Sequence, residues 1–136
     1  MDEDLLCAAV LHDLVEETST TILELTDSFG ARVGSLVTEL TRREPLPDET
    51  NGLSKAQVWS LRSKMLLDEI AQMSPDAQQV KLADRLSNLR GARLTKRGEK
   101  LERYRVQTAA ILKLATRSVN RRLWDAIDEE LRRQRA

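Results

Sequence analysis

The apolar residues of this chain recur at spacings of three and four, which is the period of an amphipathic helix and not the strict alternation of a strand. Leucine, isoleucine, valine and alanine follow this period in runs that few glycines and prolines interrupt. The pattern predicts an all-α fold, a bundle of about six helices. We expect residues 1–136 to form a single helical domain.

The first apolar run, from Leu5 to Val15, is apolar on nearly every side of its predicted helix. Such a helix is normally buried on most sides. Something must therefore cover it, and a homodimer that buries this helix is the simplest closed solution. Cys7 lies within the run and is expected to be a buried small side chain. As the one cysteine of the chain, it excludes a disulfide framework.

Prolines, glycines and helix-capping serines give the predicted helix ends. Residues 45–52 contain two prolines and an Asn-Gly pair and are expected to form a loop. Ser54 starts a capping-box sequence that begins the next helix. A later helix is expected to end near Gly91 and to be followed by a basic connector over residues 93–100. We expect Ser118 to cap the last helix.

Charge is balanced overall, with 22 basic and 22 acidic residues, but it is distributed unevenly. Residues 1–80 carry 6 basic and 15 acidic side chains, whereas residues 81–136 carry 16 and 7. The two halves can pack together, or one can face a metal ion and the other an anion, although solvated helix faces that differ in sign are equally compatible.

Nothing in the chain directs it to a membrane. The longest apolar stretch, Leu5 to Leu11, is too short to cross a bilayer, and the acidic start is unlike the basic start of a signal peptide. We expect a cytoplasmic protein with no membrane partner.

Two polar clusters contain residue types that perform chemistry. In the first, His12 and Glu16 are four residues apart and share a helix face, with Asp13 beside them. Imidazole and carboxylate together suit a divalent ion such as Mn²⁺, which acidifies a bound water. An ordinary solvated helix end is the alternative interpretation.

The second cluster lies on a later predicted helix, where Lys81, Asp84, Arg85 and Asn88 share a polar face. A carboxylate and an amide on one stripe can ligate a metal ion or orient a water, and flanking cations can hold phosphate. An exposed face of intrahelical ion pairs is again the alternative.

Together, the two clusters resemble the HD-domain phosphohydrolases of the RelA/SpoT type, specifically the small stand-alone ppGpp hydrolases that consist of the HD domain alone. The matching stretches, in chain order, are residues 8–18, 29–30, 81–90, 105–107 and 120–121. The resemblance implies an HD-domain helical bundle that lacks the family's first helices.

The resemblance also implies roles for particular residues. It makes a manganese site of His12, Asp13 and Asp84. It implies that Glu16 and Glu17 handle the attacking water and that Asn88 lines the site. The implied reaction is hydrolysis of the 3′-pyrophosphate of (p)ppGpp to GDP or GTP and pyrophosphate, and some stand-alone relatives act on the 2′-phosphate of NADPH.

Electrostatics alone suggests three cations that neutralise substrate phosphate: Lys81, Arg85 and Arg105. The chain departs from the family pattern at two points. The family has a further metal-binding histidine before the His-Asp helix, whereas His12 is the one histidine here. Glu17 replaces the usual aspartate and is one methylene longer.

Two other functions are compatible with the sequence. The first is a catalytically impaired HD-fold module that binds a nucleotide or a protein partner. The second is a nucleic-acid binder that uses the basic half. We rank nucleic-acid binding last, because the chain has four aromatic residues for stacking and its acidic half would repel a phosphate backbone.

Overall fold

The computed structural model describes residues 3–41 and 44–135. Over these ranges it contains eight α-helices and no strand, so the all-α prediction is confirmed and the expected number of about six helices is too low. The helices are α1 (Glu3–Glu17), α2 (Ile22–Phe29), α3 (Ala31–Leu40), α4 (Pro47–Thr50), α5 (Lys55–Gln72), α6 (Pro75–Thr95), α7 (Gly98–Leu114) and α8 (Arg121–Arg135).

Helix α6 is the centre of the bundle, because it packs against α1, α3, α7 and α8. It buries apolar side chains on more than one side, and these are Val80, Leu82, Leu86 and Leu89. Helix α1 packs against α3 and α6, while α5 packs against α7. The two polar clusters predicted from the sequence are therefore on neighbouring helices.

The start of α6 is fixed by a carboxylate from α3. Glu39 accepts hydrogen bonds from the backbone N–H of Ser74 at 2.7 Å and from its hydroxyl at 2.9 Å. The Ser74 hydroxyl oxygen in turn accepts the N–H of Ala77 and caps the helix. A negative charge at a helix N-terminus is favourable because the helix dipole is positive there. This arrangement sets the position of α6 against α3.

Helices α2 and α3 are joined through Gly30, which has φ +97° and lies in the left-handed region that favours glycine. Gly34, one turn into α3, lies directly against the side chain of Thr26 in α2. A Cβ at this position would overlap that side chain, so the close approach of the two helices requires glycine.

Two predicted helix ends and one predicted loop differ from the structure. Helix α6 continues through Gly91 to Thr95, because Gly91 does not adopt positive φ and the next residue, Ala92, is buried. The basic connector is therefore shorter than expected. Residues 47–50 form the helical turn α4, at whose start Glu49 accepts the N–H of Leu46.

The last helix begins later than expected. Asn120 and not Ser118 caps α8, since its side-chain oxygen accepts the N–H of Leu123 at 3.1 Å. Its amide nitrogen also donates to Gln79 of α6 at 2.7 Å. This second bond ties the start of α8 to the central helix.

Helix α1 is less buried than its composition predicts. One side, with Leu5, Ala8 and Leu11, lies in the core. The other side carries an apolar stripe, defined as Leu6, Val10 and Leu14, whose exposed fractions are 51%, 70% and 39%. Cys7 is half-buried and not buried as expected. Within the described ranges, no helix has the length and apolar character needed to cross a bilayer.

Candidate active site

A cavity of about 490 Å³ opens between α1, α5, α6 and α7, within the size range of small-molecule sites. Its lining combines charged, aromatic and a few apolar side chains. They are His12, Asp13, Glu16, Trp59, Arg62, Ser63, Leu66, Ile70, Lys81, Asp84, Arg85, Asn88, Lys96, Tyr104, Gln107 and Ile111.

His12 is the buried member of the first polar cluster, with an exposed fraction of 6%. Its Nδ1 lies 3.3 Å from the carbonyl oxygen of Ala8, and its Nε2 lies 3.2 Å from Oδ1 of Asp13. When the ring proton is on Nδ1 and is donated to Ala8, the Nε2 lone pair is directed to the side of Asp13. This tautomer is the one that binds a metal through Nε2.

The second polar cluster faces the same cavity from α6. Asp84 and Asn88 are one turn apart, and the amide of Asn88 donates to Oδ2 of Asp84 at 3.3 Å. Lys81, one turn earlier, is 7% exposed although it carries a charge. A lysine is rarely buried to this extent without partners. Asp13 and Asp84 thus line one cavity although they are far apart in the sequence.

The imidazole of His12 and the carboxylates of Asp13 and Asp84 are ligand types that suit a divalent ion. Two ligands at right angles on such an ion, each about 2.1 Å from it, are about 3 Å apart, and the His12 and Asp13 atoms are 3.2 Å apart. Asp84 supplies a further carboxylate in the same cavity. However, no three His, Cys, Asp or Glu side chains among residues 3–41 and 44–135 are arranged to hold an ion. The His12–Asp13 pair therefore fits one edge of a metal site.

Arg85 is held in place by α7. Its guanidinium donates to Gln107 at 2.8 Å and to the Thr108 hydroxyl at 3.4 Å. Gln107 in turn donates to the Ser63 hydroxyl of α5 at 2.8 Å. These bonds connect three walls of the cavity and fix the orientation of the Arg85 cation.

Tyr104 lies beside two cations of the cavity. The guanidinium of Arg85 is 4.4 Å from the ring centroid, and the ammonium of Lys96 is 5.3 Å from it. Burial raises the pKa of the Tyr104 phenol; the nearby Arg85 cation lowers this pKa, whereas the Asp84 carboxylate raises it further.

Two predicted site residues do not line the cavity. Glu17, the last residue of α1, is exposed, whereas Glu16 lines the cavity. Arg105 is directed elsewhere, because its Nε donates to Gln134 of α8 at 3.4 Å and its guanidinium lies 3.5 Å from Glu102.

The sequence patterns do not predict that α5, α7 and the C-terminal end of α6 contribute to the cavity. The polar and aromatic lining residues without a predicted role are Trp59, Arg62, Ser63, Lys96, Tyr104 and Gln107. Gln107 falls within a stretch that resembles the family, and this was the available signal. For the others, no spacing rule connects α5 to the two polar clusters.

Comparison with protein families identifies the class of protein. The HD-domain family matches residues 1–119, which is most of the chain. The chain therefore belongs to the HD-domain family, and the resemblance derived from its two polar clusters is confirmed.

Individual relatives narrow the resemblance. The chain is 36% identical over 124 residues to guanosine-3′,5′-bis(diphosphate) 3′-pyrophosphohydrolase MESH1 of Homo sapiens, covering 88% of this chain and 63% of the human protein. The chain thus spans less than two thirds of that relative. A solved structure of a metazoan orthologue of SpoT, described as hydrolysing ppGpp, matches with a TM-score of 0.77 and 30% identity, covering 98% of this chain and 71% of the other.

A protein from Listeria monocytogenes shows the same fold at lower identity. Its crystal structure matches with a TM-score of 0.72 and 19% identity, covering 97% of this chain and 85% of the other. At this identity the likeness concerns the fold alone.

Proposed function

We propose that this chain hydrolyses a nucleotide phosphate with the help of a divalent metal ion, and that its substrate is the 3′-pyrophosphate of (p)ppGpp. The names of the similar proteins support the substrate. The observation that carries the proposal is the single cavity in which His12, Asp13 and Glu16 of α1 meet Asp84 and Asn88 of α6.

His12, Asp13 and Asp84 would hold the ion, and Mn²⁺ is our choice because imidazole and carboxylate ligands both suit it. When bound, such an ion supplies a water of lowered pKa and offsets charge on the phosphate oxygens. The contact of His12 Nδ1 with the Ala8 carbonyl supports this role, because a neutral imidazole that donates its proton there has its Nε2 lone pair available for a metal.

Glu16 is the proposed general base. It lines the cavity on the same face of α1 as His12, so its carboxylate can orient a water and accept a proton from it. The water oxygen attacks the phosphorus bonded to O3′, the P–O3′ bond breaks, and the 3′-oxygen leaves as a hydroxyl after it gains a proton. Glu17, predicted to share this task, is outside the cavity, and its role stays a prediction.

Lys81 and Arg85 are the proposed phosphate-binding cations. Both line the cavity beside Asp84, and the hydrogen bonds of Arg85 to α7 fix its position. Asn88 is proposed to hold Asp84 in position through its amide. Arg105, bonded to α8, is left out of the proposed site.

A second candidate function is a nucleotide-binding module with little or no activity. It is supported by two observations: no three His, Cys, Asp or Glu side chains of the described residues are grouped closely enough to hold an ion, and the chain has a single histidine. On either function, residues 1–136 are proposed to act as one domain. The cytoplasmic location stays a prediction.

Pyrophosphate release from ppGpp with and without Mn²⁺ separates the two functions. Because the described ligand set is incomplete, we expect weak Mn²⁺ binding and slow hydrolysis. Asp84→Ala should reduce this hydrolysis at least about hundredfold, since loss of a ligand costs more than loss of an outer partner. Asp27→Ala removes an exposed helical carboxylate outside the cavity and is the matched control.

Three outcomes decide between the functions. Mn²⁺-dependent release that Asp84→Ala abolishes and Asp27→Ala leaves unchanged supports the hydrolase. Binding of ppGpp without metal and without release supports the binding module. If the chain neither binds nor hydrolyses ppGpp, both candidates are wrong.

A further inference from the structure

Two aromatic rings line the cavity, and they differ in what surrounds them. The Tyr104 ring of α7 already has the cations of Arg85 and Lys96 beside it. For the half-buried Trp59 ring of α5, the part of the chain that the structure describes places one cation over the ring: the guanidinium carbon of Arg103, 5.4 Å from the centroid. Trp59 is therefore the ring with more room for a further flat partner.

Arg103 is the cation over the Trp59 ring, and it is not among the residues that line the cavity, whereas Trp59 is. The Nε of Arg103 is buried and has no hydrogen-bond partner among the described residues, so the indole is its favourable neighbour. A guanidinium over one face of an indole leaves the other face for a further flat partner.

The charges of the cavity show which part of a nucleotide would meet this ring. Phosphate groups need the cations of the site and the metal ion proposed for its carboxylates, whereas a base needs a flat apolar surface. Base stacking on an aromatic side chain contributes as much as a good hydrogen bond and tolerates any base. Trp59 offers such a surface on α5, outside the two polar clusters of α1 and α6.

We propose that Trp59 is the surface on which the purine base of the substrate stacks, with Arg103 over the other face of the ring. This inference rests on the proposed function, because it assumes a nucleotide in the cavity. It adds a residue that selects nucleotides over inorganic phosphates, which Lys81 and Arg85 alone would not do.

The two tryptophans of the chain allow a direct test. Trp124 lies outside this cavity and donates its indole N–H to the carbonyl of Leu112 at 2.9 Å. The Trp124→Phe variant therefore has Trp59 as its only tryptophan. We would titrate it with ppGpp and with pyrophosphate in EDTA, so that no turnover occurs. We expect ppGpp to quench the emission and pyrophosphate to leave it nearly unchanged.

Affinity supplies the second measurement. Trp59→Leu should raise the Kd for ppGpp by about fivefold to 150-fold, the range that loss of one stacked base gives. It should leave the Kd for pyrophosphate unchanged. Trp59→Phe keeps an aromatic ring and should restore most of the affinity. Circular dichroism identifies a variant that fails to fold, in which case Trp59→Phe and the quenching data decide.

The outcomes separate this inference from the proposed function. If wild-type chain binds ppGpp but Trp59→Leu binds it equally well, the stacking surface is wrong and the proposed function survives. Equal quenching by pyrophosphate and ppGpp would likewise show that Trp59 is not the stacking surface, and it would leave the proposed function intact. If wild-type chain does not bind ppGpp at all, the inference and the proposed function are both overturned.

Discussion

Helices α6 and α1 both contribute polar residues to the cavity, yet they are held in the fold very differently. Helix α6 is surrounded by four other helices and buries leucines on several sides, so Asp84 and Asn88 extend from a rigid element. Helix α1 packs on one side against α3 and α6 and exposes an apolar stripe on the other. The site thus combines a firmly packed wall with a wall that is covered on one side.

Two ion pairs also connect α1 and α6 to α3. Arg32 of α3 forms ion pairs of 3.0 Å with Asp4 of α1 and Asp76 of α6. All three side chains are about half exposed, so each pair contributes little to stability. The position of the His12–Asp13 pair therefore depends mainly on the apolar contacts that Leu5, Ala8 and Leu11 of α1 make with the core.

The largest expected effect contrasts matched leucines from the two helices. Leu82→Ala in α6 should lower the free energy of unfolding by about 2–5 kcal/mol, because its side chain is fully buried. Leu6→Ala in α1 removes an exposed side chain and should change it by less than about 0.5 kcal/mol. Urea denaturation at low protein concentration measures both. Equal losses would show that α1 is covered as fully as α6.

The same contrast explains what could be predicted from the sequence. His12 and Glu16 are one turn apart on a regular helix, as are Asp84 and Asn88, so their faces could be predicted and a family resemblance could be recognised. The packing of one helix against another depends on the tertiary structure, and the spacing of apolar residues does not predict it.

Residues on other walls were missed for the same physical reason. Trp59 and Tyr104 reach the cavity because α5 packs on α7, a long-range contact that neither segment encodes by itself. Arg105 and Glu17 illustrate the converse. Their charge and position in the sequence suited the site, but Arg105 contacts Gln134 of α8 and Glu17 is exposed outside the cavity. Gly91 was misjudged because a glycine commonly ends a helix by adopting positive φ, which Gly91 does not do.

We predict that the chain forms homodimers through the exposed apolar stripe of α1. The effect of changing this stripe should be intermediate in size. Light scattering at micromolar concentration should give the mass of a dimer, since an apolar stripe of this kind is favourable to bury. Val10→Lys places a charge on the stripe and should weaken association at least tenfold, about 1.4 kcal/mol. Leu94→Lys changes another exposed leucine, on α6, and serves as control. A monomer at these concentrations would contradict the prediction.

The smallest expected effect tests the charges on the α6 wall through Tyr104, which is the one tyrosine of the chain. Its pKa in the folded chain is raised, mainly by burial and also by Asp84, so alkaline titration of tyrosinate absorbance should have its midpoint above the ordinary value of about 10. Asp84→Asn should lower this midpoint, and Arg85→Gln should raise it, because the first removes a negative charge and the second a positive one.

The same shift has a consequence for stability. A phenol whose pKa is higher in the folded chain than in the unfolded chain binds its proton more tightly when folded. Its contribution is fully present below the unfolded pKa and is lost as the pH rises through the folded pKa. Loss of stability above pH of about 10 should therefore be smaller in Asp84→Asn than in wild type, whereas Asp13→Asn, on the α1 wall, should not change the Tyr104 midpoint. A midpoint that responds to Asp13 as strongly as to Asp84 would show that the two walls act on this ring alike.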